Sequence, residues 1–158
     1  MLPQPHERKR IDPRRHSRHR GSFQAALRVQ ELRATAEELD KQAEKLGIDI
    51  PVLMEINCAE EEAKGGIYPA EAEDFFISLK KFPRLQVRGI MTMGPNLEDK
   101  EQLRPYFKNT KEIFDKIHTR YGFPGEPILS MGMSESFEEA IACGSTLVRV
   151  GRSMFVKN

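Results

Sequence analysis

Between residues 32 and 150 the chain alternates helical and extended patterns without a break, and this alternation restricts its fold more than any other feature. Leu32, Ala36, Leu39, Ala43 and Leu46 recur at helical spacing until Gly47 ends the run. Residues 51–57 are short and mostly apolar, as a strand is, and lead into a polar loop over 58–68 that contains Gly65-Gly66. Pro69 opens a second helix through about residue 82, with Ala72, Phe75, Phe76 and Leu79 on its inner face. A strand over 85–92 follows, then a long helix over 98–121 with Leu103, Phe107, Phe114, Ile117 and Tyr121 inward. The series closes with a strand over 127–131, a helix over 135–143 and a strand over 146–150.

Helix–(strand–helix)3–strand is the pattern of parallel strands joined by right-handed crossovers, hence of an α/β sheet or barrel. In such folds ligands bind at the carboxyl ends of the strands. The polar candidates fall there: Asn57, Thr92, residues 130–134 and residues 149–152. Two of these strands end in Gly/Ser-rich turns, Ser130-Met131-Gly132-Met133-Ser134 and the segment around Gly151, whose backbone N–H groups suit a phosphate. Arg149 sits inside an otherwise apolar strand, where a charge needs a specific partner. Plainer readings stand beside these. Ser134 could cap the following helix, Arg149 could serve a structural ion pair, and Met91, Met93, Met131 and Met133 could pack in the core.

With 39% apolar and 31% charged residues and no apolar run near the ~18 that span a bilayer, the chain reads as soluble. Cys58 and Cys143 have neither metal-type nor disulfide-framework spacing, so a reducing, cytoplasmic setting is expected, with no metal. Residues 1–20 carry seven Lys/Arg against Glu7 and Asp12, with three prolines and three aliphatic side chains. That composition predicts a disordered basic arm, here taken as residues 1–31, ahead of a folded unit over 32–158. Nucleic-acid binding through the arm is the alternative use of its charge, but the arm lacks interleaved aromatic residues.

The body of the chain resembles the pyridoxal phosphate homeostasis protein family. The resemblance rests on Glu55-Ile56-Asn57 with residues 61–66, on residues 87–93, on Arg104-Pro105-Tyr106-Phe107, on residues 129–134 with Phe137-Glu138, and on Gly144-Ser145-Thr146 with residues 148–151. It runs over about residues 32–155 and looks like the second half of the family's alanine-racemase-like (β/α)8 barrel, giving a partial TIM-type barrel of about four parallel strands. The resemblance implies a protein that binds pyridoxal 5′-phosphate, serves vitamin B6 homeostasis and has no well-defined catalysis of its own. Carried over by motif, Ser134, Met133, Gly151 and Arg152 would hold the phosphate and Arg149 would face the pyridine nitrogen. An arginine there keeps its proton, so the ring stays largely unprotonated and is a weak electron sink.

The chain also departs from that family. The Schiff-base lysine of an Ala-Val-Ser-Lys-like first strand has no counterpart, and no lysine falls within an expected strand. Cofactor binding is therefore expected to be non-covalent, and catalytic residues are expected to be none. A racemase-like enzyme fragment is the alternative and would need a lysine and an opposing acid or base. The ending Phe155-Val156-Lys157-Asn158 differs from the family's Phe-Gly-x-Arg, which together with the basic arm suggests a truncated or mis-started reading frame. Half a barrel leaves open strand edges, through which two copies could rebuild a closed barrel as a homodimer. No membrane partner is expected.

Overall fold

A computed structural model describes residues 13–151, with side chains from residue 24 onward. Its elements are α1 (Pro13–Leu46), β1 (Ile50–Ile56), α2 (Ala72–Leu79), β2 (Leu85–Thr92), α3 (Arg104–Tyr121), β3 (Ile128–Met133), α4 (Phe137–Ala142) and β4 (Leu147–Arg149). Single 3-10 turns, Pro69–Glu71 and Lys100–Leu103, lead into α2 and α3. The strands pair in parallel in the order β1-β2-β3-β4. Sequential order with right-handed crossovers puts successive helices on one face of the sheet, the winding of a (β/α) barrel.

The register separates the two faces residue by residue. Met54, Ile90 and Leu129 lie side by side across three strands, and all are buried against the helices. One residue further along, Glu55, Met91, Ser130 and Leu147 form a row on the opposite face. Only Ser130 of that row is buried, and Leu147 is 41% exposed. The helix-side core gathers Phe75, Phe76 and Leu79 of α2 with Phe107, Phe114 and Ile117 of α3. Burying a side chain of this size contributes about 1.5–3 kcal/mol over leaving it in water.

The first helix departs from expectation in two ways. It starts at Pro13 instead of Leu32, so the expected disordered arm is helical from residue 13, while residues 1–12 lie outside the described residues. Proline is well placed at a helix start, where its missing N–H costs nothing. The buried stripe also differs in part from the expected one: Ala36 and Ala43 are buried and Leu32 packs beside them as expected, Ala25 and Val29 extend the stripe towards the N-terminus, and Leu39 and Leu46 are exposed. Ahead of Leu32 the helix is held by Arg28, which lies 4.8 Å over the Tyr68 ring and donates to the Glu62 carbonyl at 3.0 Å. Local charge made residues 1–31 look unfit to pack, but Ala25 and Val29 join the packed stripe within that range.

One register slip and one close approach define the sheet. Between β1 and β2 the register slips at Val52/Leu53, so that Arg88 faces no residue of β1 and Gly89 pairs with both Leu53 and Ile128. A Cβ on Gly89 would stand 1.8 Å from the Ile128 carbonyl oxygen. We expect Gly89→Ala to destabilise the fold by about 3 kcal/mol or more. The urea-unfolding midpoint reports this, and a loss below about 1 kcal/mol would show that β2 and β3 can part at little cost.

Glu73 ties α2 to α3. Its carboxylate accepts from Lys116, from Arg120 at 2.6 Å and from the Tyr121 hydroxyl at 3.0 Å. The Lys116 and Arg120 hydrogen bonds lower its pKa from 4.5 to about 2. A carboxyl lowered on folding stabilises fully above its unfolded pKa and loses that contribution as pH falls through the folded one. The stability gap between wild type and Glu73→Gln should therefore be constant above about pH 5 and close between about pH 4.5 and 2. Unfolding titrations across that range read it, and a gap that persists at pH 2 would sink the assignment.

Candidate functional site

A cleft of about 680 Å³ opens where β2, β3 and β4 end. Its wall combines Met93 to Asn96 after β2, Lys100 and Leu103 of the turn before α3, Gly132 and Met133 at the end of β3 with Ser134 to Ser136 after it, and Arg149 to Gly151 at the end of β4. Local sequence explains these positions. Gly132 takes φ +91°, and a Cβ there would stand 2.6 Å from Ala140 Cβ, so the chain leaves β3 flat against α4. Ser136 Oγ then accepts the Met133 N–H at 3.1 Å, closing the turn. The helix begins at Phe137 after Ser136. Ser134 is therefore not its cap, and the capping alternative falls.

Ser134 faces across the cleft instead. Its Oγ accepts the Gly151 N–H at 3.2 Å, and among the described residues its own hydroxyl hydrogen meets no acceptor. Among the described residues nothing lies within 4 Å of where a Gly151 Cβ would be. The unspent Ser134 hydroxyl hydrogen is a donor that a phosphate oxygen can use, and the Gly151 N–H, here given to Ser134, would be a second once a phosphate oxygen took the place of that acceptor. The residues present fit such a group. Met133 is 47% exposed and lines the same cleft, as does Met93 at 41%. Their expected core role is thus confined to Met131, which is fully buried. Arg152 lies outside the described residues.

Arg149 reaches from β4 across the open face. Its Nη1 donates to the Ser130 carbonyl at 3.2 Å and to Ser130 Oγ, and its Nη2 donates to the Thr92 carbonyl at 3.1 Å. Among the described residues it makes no ion pair, so the ion-pair alternative is replaced by hydrogen bonds to β2 and β3. Burial pushes its pKa down and the Glu55 carboxylate on the same face pulls it up. A guanidinium so placed keeps its charge.

Two other strand-end candidates serve the scaffold. The Asn57 amide donates to the Glu61 and Lys64 carbonyls and its oxygen accepts the Glu61 N–H, which folds the loop after β1. Thr92 Oγ1 donates to the Ile56 carbonyl at 2.6 Å and is fully buried. Asn96, Lys100 and Glu135 border the cleft without having been singled out in the sequence. Their signal was positional: each belongs to a segment that follows a strand.

Sequentially ordered parallel strands, helices on one face and a polar cleft at the carboxyl ends define part of a (β/α) barrel. The chain belongs to the alanine racemase N-terminal domain family, whose model matches residues 25–158. It is 42% identical over 120 residues to the pyridoxal phosphate homeostasis protein of Aquifex aeolicus, covering 76% of this chain and 52% of that one. The protein of the same name from Helicobacter pylori is 36% identical over 119 residues, covering 75% and 51%. Among solved structures, PipY of Synechococcus elongatus with pyridoxal phosphate bound superposes with a TM-score of 0.67 at 26% identity, covering 78% of this chain and 57% of that one. The chain spans about half the length of the curated relatives it matches.

Replacing Arg149 by Met should cost about 1–3 kcal/mol, because three acceptors lose their donor. Amide hydrogen exchange over 147–149 should accelerate with it. Unchanged exchange would show that β4 is held by its ladder alone.

Proposed function

We propose that the cleft binds pyridoxal 5′-phosphate and that the chain acts in vitamin B6 homeostasis as a carrier, without catalytic turnover. The observation that carries this reading is the Ser134–Gly151 pair, with Arg149 on the same cleft wall. The names of the curated relatives and the pyridoxal phosphate bound to PipY support it. Ser134 would donate its free hydroxyl hydrogen to a phosphate oxygen, and the Gly151 amide, with Arg152 after it, would complete the cradle. Met133 would border the same group.

Arg149 would orient the ring and hold a fixed positive charge towards its nitrogen. When bound, the cofactor supplies an aldehyde and an electron-withdrawing ring; a guanidinium leaves that ring unprotonated and so a weak electron sink. Among the described residues none of the four strands carries a lysine, which favours non-covalent binding. Transport without turnover follows from these two features. A cytoplasmic setting belongs to the same reading: both cysteines are buried and free, which suits a reducing compartment. Among the described residues no helix is long and apolar enough to cross a membrane.

Absorbance titration with pyridoxal 5′-phosphate, then borohydride treatment and intact-mass measurement, tests the proposal. Saturable binding without a stoichiometric mass adduct is expected. Ser134→Ala combined with Arg149→Ala should weaken binding by about a hundredfold or more, since it removes a hydroxyl donor and a charged one. Full binding by the double variant, or a single stoichiometric lysine adduct on the wild type, would overturn this arrangement of the site.

A further inference from the structure

The cleft wall holds a second cation that the proposed cradle does not use. Lys100 stands on the turn ahead of α3, and its Nζ donates to the Leu97 carbonyl at 2.7 Å. The next polar partner is Glu135 Oε2 at 3.7 Å, beyond hydrogen-bonding distance. An ammonium has three N–H donors, so among the described residues two of them lack an acceptor. Arg149, the other cation on this wall, is already committed to three acceptors.

Glu135 follows Ser134 directly and lines the same cleft. Its side chain is 68% exposed and that of Lys100 is 33% exposed. An ion pair so long and so wet holds its partners weakly. The tether to the Leu97 carbonyl, by contrast, fixes where the ammonium sits. A phosphate monoester carries nearly two charges at neutral pH, and the Ser134–Gly151 pair supplies only neutral donors.

We propose that Lys100 is the phosphate-binding cation of the cleft and that Glu135 is a resident counter-charge which the phosphate displaces. The proposal rests on the reading that this cleft takes a phosphorylated ligand, and it names the residue that supplies the charge. Lys100 recognises the phosphate group itself. Inorganic phosphate is therefore a competitor, whereas unphosphorylated pyridoxal draws nothing from Lys100. Removing the Glu135 charge frees the ammonium and tightens binding.

The test is binding of pyridoxal 5′-phosphate, inorganic phosphate and pyridoxal to the full chain and to Lys100→Gln, Lys100→Arg and Glu135→Gln, with circular dichroism confirming the fold of each. Lys100→Gln should weaken both phosphate-bearing probes by about tenfold and leave pyridoxal unchanged, since a charge-assisted hydrogen bond is lost. Lys100→Arg should restore most of the affinity. Glu135→Gln should tighten both phosphate-bearing probes by about twofold to fivefold. If Lys100→Gln binds pyridoxal 5′-phosphate as wild type does, the assignment of Lys100 falls while the function proposed above stands. If wild type takes inorganic phosphate through Lys100 but not pyridoxal 5′-phosphate, the assignment stands and that function falls. Failure of wild type to take either overturns both, and weaker binding by Glu135→Gln removes the displaced counter-charge.

Discussion

A parallel pair of strands cannot be closed by a tight turn, because the chain must travel the length of the sheet before pairing again. Much of this molecule follows from that constraint. Each return is made by a helix, each helix packs on the same face because the strands pair in sequence order, and each strand therefore ends at the same edge. The two faces then differ without further instruction. Met54, Ile90 and Leu129 meet the helices, while Glu55, Met91, Ser130 and Leu147 face away from them. The cleft is the third consequence: three successive strand ends, each followed by a loop, enclose it.

Where burial and periodicity coincided, the sequence was legible. Ala72, Phe75, Phe76 and Leu79 have helical spacing and are the buried residues of α2. The strand expected over 85–92 has those bounds in the structure. The first helix was legible in part: Leu32, Ala36 and Ala43 of its expected stripe pack, whereas Leu39 and Leu46 point to solvent, and the charge of residues 1–20 hid a helix that starts at Pro13. Charge describes how a segment meets water, whereas close helix packing depends on small side chains. The sequence could not distinguish these effects.

Within the site, residue type was legible and partnership was not. Arg149 was rightly marked as a charge in need of partners, but those partners are the Ser130 and Thr92 backbones and the Ser130 hydroxyl, groups on two other strands. Ser134 looked like a cap until the helix proved to begin two residues later, and its real partner is the Gly151 amide 17 positions away. Lys100 carried only a positional signal in sequence. A lysine at the start of an expected helix resembles any solvated charge, and only the fold brings it to the wall shared with Ser134.

On the proposed reading, the work of binding a charged, planar ligand would be divided between two cations of different kinds. Arg149 has a planar head fixed by three acceptors, so it can define an orientation but has little freedom to follow a moving anion. Lys100 has a compact charge on a flexible stem, one tether and a distant, exposed counter-charge, so it can turn towards an anion with little loss of existing contacts. In the proposed site the rigid group would meet the ring and the adaptable charge would meet the phosphate. A ligand held only by rigid, fully desolvated groups would be slow to depart. Placing the adaptable cation on a loop after β2 and the fixed one within β4 gives the same cleft a rigid wall and a yielding one.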